Sequence, residues 1–140
     1  MANNLHVTLR PTTTPRDLDV NETGNANEVK QDTKPQDIVW QLTGNAASGS
    51  FVSVSGSNPG FEWVKPVPPA GIFGAPTLSP NGNQLTISDT NDRPCTPSDP
   101  GTTGTFDYML RAEVDGTVYS TIATLTRGKV TTTHPVIINK

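Results

Sequence analysis

The sequence predicts an all-β protein, an antiparallel β-sandwich of seven to nine strands. Three observations predict it. Short apolar segments alternate with polar residues at period two, the pattern of strands with one buried face. Turn-forming residues punctuate those segments: the 140 residues hold 12 Gly and 13 Pro, and threonine is the commonest residue. No segment carries the apolar spacing of an amphipathic helix. Short strands separated by turn signals, without helical periodicity, are the signature of a sandwich. The length is that of one domain, read as residues 1–140.

Taken in order, the first strand is residues 5–9, where Leu5, Val7 and Leu9 face inward and His6 and Thr8 outward, and Pro11 and Pro15 close it. Residues 16–36 are a polar excursion or short hairpin, compatible with two short strands, residues 17–20 and 28–30, joined through Gly24. Residues 38–42 form a strong strand with Ile38, Trp40 and Leu42 on one face. Residues 50–55 and 61–64 are the next two, separated by the turn at Asn58-Pro59-Gly60. Residues 66–76 hold four prolines and read as an extended loop around Ile72 and Phe73. Pro80-Asn81-Gly82-Asn83 turns the chain into a strand at 84–88, and residues 89–104 read as a long loop containing Cys95.

The strongest local signal is Asp115-Gly116, flanked by β-prone residues 105–114 and 117–126. A two-residue Asp-Gly loop favours a type I′ turn, because both central residues take φ > 0 and the turn's twist matches that of the strands. That fixes a register: Val114 opposite Thr117, Ala112 opposite Tyr119, Leu110 opposite Thr121 and Phe106 opposite Leu125. One face then carries Phe106, Tyr108, Leu110, Ala112, Val114, Tyr119, Ala123 and Leu125. The other carries Asp107, Arg111, Glu113, Ser120 and Thr124, with Met109 opposing Ile122 and Val118 nearby. A one-residue slip would turn the aromatic set into water. Residues 135–139 close the chain as an edge strand.

Gly104-Thr105-Phe106-Asp107-Tyr108 and Asp115-Gly116-Thr117-Val118-Tyr119 resemble the late strands of immunoglobulin-like and cupredoxin-like sandwiches. Trp40 stands where such domains often place a core Trp. With the tail Pro135-Val136-Ile137-Ile138-Asn139, residues 37–140 are similar to DP-EP, a family of short bacterial proteins. The chain departs from that family's pattern at His134, where an Asp is expected before the Pro. The resemblance implies a fold and supplies no activity.

Lys and Arg number 10 against 13 Asp and Glu, for a net charge of −3. The basic residues are scattered rather than gathered into a stripe, which argues against nucleic acid as a partner. No run reaches the ~18 apolar residues of a membrane span. Met1-Ala2-Asn3-Asn4-Leu5 has neither a charged leader nor an apolar run, and the expectation is a cytoplasmic protein. Cys95 is the one cysteine, so no intramolecular disulfide forms.

The chemistry-bearing residues form no recognisable constellation. A blue-copper set needs two His, one Cys and a weak axial ligand. His6, His134, Cys95 and Met109 have the types but not the order, because Cys95 precedes the Phe106–Tyr108 strand. Asp89, Asn91, Asp92 and Asp99 supply oxygens in one loop, yet their spacing fits no EF-hand and they are ordinary turn residues. There is no Gly-x-Ser-x-Gly elbow, and Gly44 to Gly49 lacks the Lys and helix of a phosphate loop. Glu62 and Glu113 sit at outward strand positions. The expectation is a protein without catalytic residues, metal or cofactor, acting through protein contacts, including self-association, across an outer apolar patch of Met109, Val118 and Ile122. The alternative is a glycan- or peptide-binding module centred on Trp63, Phe73 and the proline loop at 66–69.

Overall fold

The computed structural model describes residues 3–9, 17–64, 66–121 and 135–140. Over these the chain is all-β, with eleven strands and two 3₁₀ turns. In order the strands are β1 (Asn3–Leu9), β2 (Leu18–Asn21), β3 (Glu28–Val29), β4 (Gln36–Leu42), β5 (Ser50–Phe51), β6 (Phe61–Trp63), β7 (Thr77–Leu78), β8 (Gln84–Asp89), β9 (Gly104–Val114), β10 (Thr117–Ser120) and β11 (Val136–Asn139). One sheet has the order β2-β1-β4-β8-β7; the other is built on β9, with β10, β11, β3, β5 and β6. Their inner faces meet as a sandwich.

Alternation explains which side chains fill it. Leu5, Val7 and Leu9 of β1, Ile38, Trp40 and Leu42 of β4, and Leu85 and Ile87 of β8 are buried, as are Tyr108, Leu110, Ala112 and Val114 of β9. They join in one apolar cluster. Each fully buried Val, Leu, Ile or Phe contributes on the order of 1.5–3 kcal/mol. The Asp115-Gly116 turn has φ of +52° and +80°, as a type I′ turn requires, and Val114–Thr117 and Ala112–Tyr119 pair as expected.

β9 organises the second sheet. Its even-numbered residues bond along one edge, where Leu110 O accepts from Thr121 N and Tyr108 N donates to Pro135 O. Its odd-numbered residues bond along the other, with Val52 and Val64 donating to Arg111 O and Asp107 O. β10 and β11 therefore share one edge of β9, and β5 and β6 share the other. A Cβ at Gly60 would collide with the Val52 carbonyl oxygen, so only glycine lets this loop close while Gly60 O accepts the Arg111 N–H.

Five expectations change. The last strand, expected at an edge, lies inside its sheet, because β11 pairs with β9 on one side and β3 on the other. Phe106 pairs with Ile137 of β11, which takes the place expected for Leu125. Two pairings are parallel, β1 with β4 and β11 with β3, so both sheets are mixed. Thr77 and Leu78, read as loop, pair with Thr86 and Leu85, and the strand expected over 50–55 stops at Phe51. Pro11, Pro15, residues 122–126 and His134 lie outside the described residues.

Candidate functional site

The first candidate is an aromatic corner at one end of the sandwich. Trp40 and Tyr108 are fully buried, and the Trp40 indole N–H donates to the Tyr108 hydroxyl at 2.8 Å. Phe61 stacks on Tyr108 with ring centres 5.6 Å apart. Trp63 meets Phe61 edge-on at 4.9 Å, Phe73 at 4.6 Å, and Phe73 meets Phe106 at 5.2 Å. Trp63, Phe73 and Phe106 are half-buried, so the rings run from the dry interior to the surface. Phe73 is held by a bridge to Asp89, and Gly74 N donates to Ser88 O, so the proline loop returns along β8. Val67, in that loop, is 60% exposed. The structure brings the expected Trp63 and Phe73 together and adds Phe106, which alternation had assigned wholly to the core.

The second candidate is the outer face and edge of the Asp-Gly hairpin. Val118 is 55% exposed, as its position opposite Glu113 predicts. Met109 is not: at 6% exposure it belongs to the buried set, and the outer apolar patch expected around it is not a surface feature there. Alternation assigns Met109 to the outward face, but burial is decided by what packs against a residue, which local sequence does not encode. Ile122 lies outside the described residues. Thr117 and Tyr119 bond to β9, so the main-chain groups of Val118 and Ser120 point away from it. Among the described residues that outer edge pairs with no strand.

A third feature was missed by the sequence reading. Asp89, Asn91, Thr102 and Asn139 are buried together where β8, β11 and the 90–103 loop meet. Asn139 donates through Nδ2 to Asp89 Oδ1 and to Thr102 O, both at 2.9 Å. Thr102 Oγ1 donates to Asn91 Oδ1 at 2.9 Å, and Asn91 Nδ2 donates to Val29 O at 2.9 Å. Burial pushes the Asp89 carboxyl up to about 6, against the bond from Asn139 that lowers it. The signal was present: Leu85, Ile87 and Asp89 are in phase, and so are Ile137 and Asn139. Asp89 and Asn91 are instead read as turn residues, and Asn139 as the end of the closing strand.

The other chemistry-bearing residues do not converge. Asp89 and Asn91 turn inward, whereas Asp92 and Asp99 both bind Arg93, at 3.1 and 2.9 Å. The bond from Gly101 N holds the Asp99 carboxyl below its usual range, with the Arg93 charge adding to it. His6 is exposed on β1 and Cys95 is exposed in the loop. Glu62 faces outward and binds Arg111 at 3.0 Å, while the same guanidinium donates to Pro59 O at 2.8 Å. Among the described residues no three His, Cys, Asp or Glu side chains gather as a metal-binding group, and no helix is long and apolar enough to cross a membrane.

Fold and surface define a class: an all-β sandwich of two mixed sheets, with a hydrogen-bonded aromatic core and, at β10, an uncharged strand edge left open among the described residues. No family model and no curated protein matches the chain. The DP-EP resemblance therefore rests on the residues quoted for it.

Proposed function

We propose that the protein is a non-catalytic β-sandwich that acts by pairing the β10 edge with another protein strand, first of all that of a second copy. The observation that supports this is the character of the edge. Thr117-Val118-Tyr119-Ser120 has no charge and no proline, and Val118 is exposed. Natural sheets blunt such edges with charges, prolines or very short strands. The other edges carry those devices: β2 contains Asp19, β3 is two residues long with Glu28 bound to Lys140 at 2.8 Å, and β7 is two residues long between Pro76 and Pro80. Two β10 strands pairing antiparallel about a two-fold axis present the same groups to each other, which closes the assembly at a dimer.

Light scattering across a concentration series tests this. The expected result is a dimer at high concentration that Val118→Lys converts to a monomer with an unchanged β-type circular dichroism spectrum. A wild-type monomer at every concentration, unaffected by the substitution, would overturn it. Met109→Asp is not a usable probe, because it would place a charge in the interior.

A second reading is favoured by the aromatic corner. Half-buried Trp63, Phe73 and Phe106 beside exposed Val67 fit recognition of an apolar peptide better than of a glycan. Sugar stacking needs an open ring face, and Trp63 is flanked by Phe61 and Phe73. Titration with a proline-rich peptide, followed by the two indole N–H resonances, is expected to shift that of Trp63 and leave Trp40 in place. No shift of the Trp63 signal at millimolar peptide would remove this reading.

A further inference from the structure

Asp89 and Asn139 are held together by one hydrogen bond, yet among the described residues the second Asp89 oxygen, Oδ2, and the single amide oxygen of Asn139, Oδ1, are buried and find no partner. The orientation of the amide is fixed by its surroundings, since Nδ2 lies between two acceptors, Asp89 Oδ1 and Thr102 O. Two orphaned acceptors in one buried pair are costly, because each has lost water without gaining a donor. A carboxylic acid and a primary amide are complementary along their edges. The amide N–H donates to one carboxyl oxygen, and the acid O–H donates back to the amide oxygen. One proton on Asp89 Oδ2 thus supplies a donor for both orphans.

We propose that Asp89 and Asn139 form a single-proton clasp that closes in mild acid and fastens the C-terminal strand β11 to the end of β8. Its position gives it leverage. Asp89 pairs with Gln36 of β4 and bridges to Phe73, while Asn139 ends β11, which runs beside both β9 and β3. Opening the clasp loosens the join between the two sheets at the aromatic end.

The surrounding charges do not replace the proton. Just after β11, the Lys140 ammonium is taken by Glu28 of β3. In the 90–103 loop after β8, Arg93 is taken by Asp92 and Asp99. Lys30, Asp32 and Asp37 are exposed, and Gln36 is neutral. The upward displacement of the Asp89 carboxyl, to about 6, has burial as its one raising cause. The sign follows: the neutral form is favoured in the folded chain, so this contribution is full below the ordinary value of 3.8 and is lost as pH rises through about 6.

Asp89→Asn supplies the donating group permanently. Urea unfolding of the two proteins is expected to show wild type losing roughly tenfold in folding equilibrium between pH 5 and pH 8 relative to Asp89→Asn. Glu22→Gln serves as a control for the carboxyl at the other end of β11. In the wild type itself, the Asn139 side-chain amide resonances should titrate with a midpoint near 6. The same pH dependence in wild type and variant would overturn the clasp. So would an Asn139 amide signal that is flat from pH 5 to pH 8, the result expected if a buried water donates to both oxygens instead. The resonance measurement decides the matter even if the variant fails to fold.

Discussion

Two of the polar pairs buried in this sandwich solve the same problem differently. Trp40 and Tyr108 match one donor to one acceptor at 2.8 Å, so neither the indole nitrogen nor the phenol oxygen is left without a partner. Asp89 and Asn139 bring more oxygens than donors, and among the described residues two oxygens stay unpaired. Burying a polar group costs little when its partner is built in and much when the partner must be a proton borrowed from solvent. The first pair should therefore behave as a fixed strut and the second as an adjustable one.

The largest effect expected from this contrast is at the strut. Tyr108→Phe removes the acceptor and leaves the Trp40 indole N–H buried with no partner. The loss should be about 1–3 kcal/mol in urea unfolding. It should be the same at pH 5 and pH 8, because burial pushes the Tyr108 phenol up and away from that range. A Tyr108→Phe variant as stable as wild type would show that the hydrogen bond is incidental to ring packing and would dissolve the comparison. A loss that varies with pH would tie the two pairs into one network.

The sequence made the first pair legible and hid the second. Trp40 lies between Ile38 and Leu42 in period-two alternation, and Tyr108 is in phase with Phe106 and Leu110, so both had to point inward. Asp89 obeys the same alternation, but its residue type is that of a turn, and type outweighed phase; Asn139 was placed in the closing strand, with nothing local to name Asp89 as its partner. The hairpin register was legible because the Asp115-Gly116 turn is local. The replacement of Leu125 by Ile137 beside Phe106 was not, since two strands compete for one edge of β9 and the choice is made by the whole sheet. Met109 teaches the same lesson from the other direction: alternation assigns its face, while what packs against it is non-local. The candidate site was half readable. Trp63 and Phe73 stood out by their place beside the prolines, and Val118 by its phase. The bareness of the β10 edge appears only when its neighbours are known.

The smallest effect tests whether β11 is tuned by acid at one end or at both. Glu22 lies near the start of β11, where Oε1 accepts from Val136 N at 3.4 Å and Oε2 accepts from Asn27 Nδ2 at 3.1 Å. Burial pushes its carboxyl above the usual 4.5, and Asp19 adds to the rise, while the bond from Val136 opposes it. The neutral form is thus favoured on folding, so this group's contribution is full below 4.5 and declines as pH rises through its folded value. Glu22 differs from Asp89 in that both its oxygens already have donors and solvent reaches the group. Glu22→Gln should therefore gain less than about 1 kcal/mol at pH 7 and nothing at pH 4, measured as urea midpoints. A loss at pH 7 that is absent at pH 4 would mean that the negative charge itself is favourable at this end. The acid response of β11 would then be confined to Asp89 and Asn139.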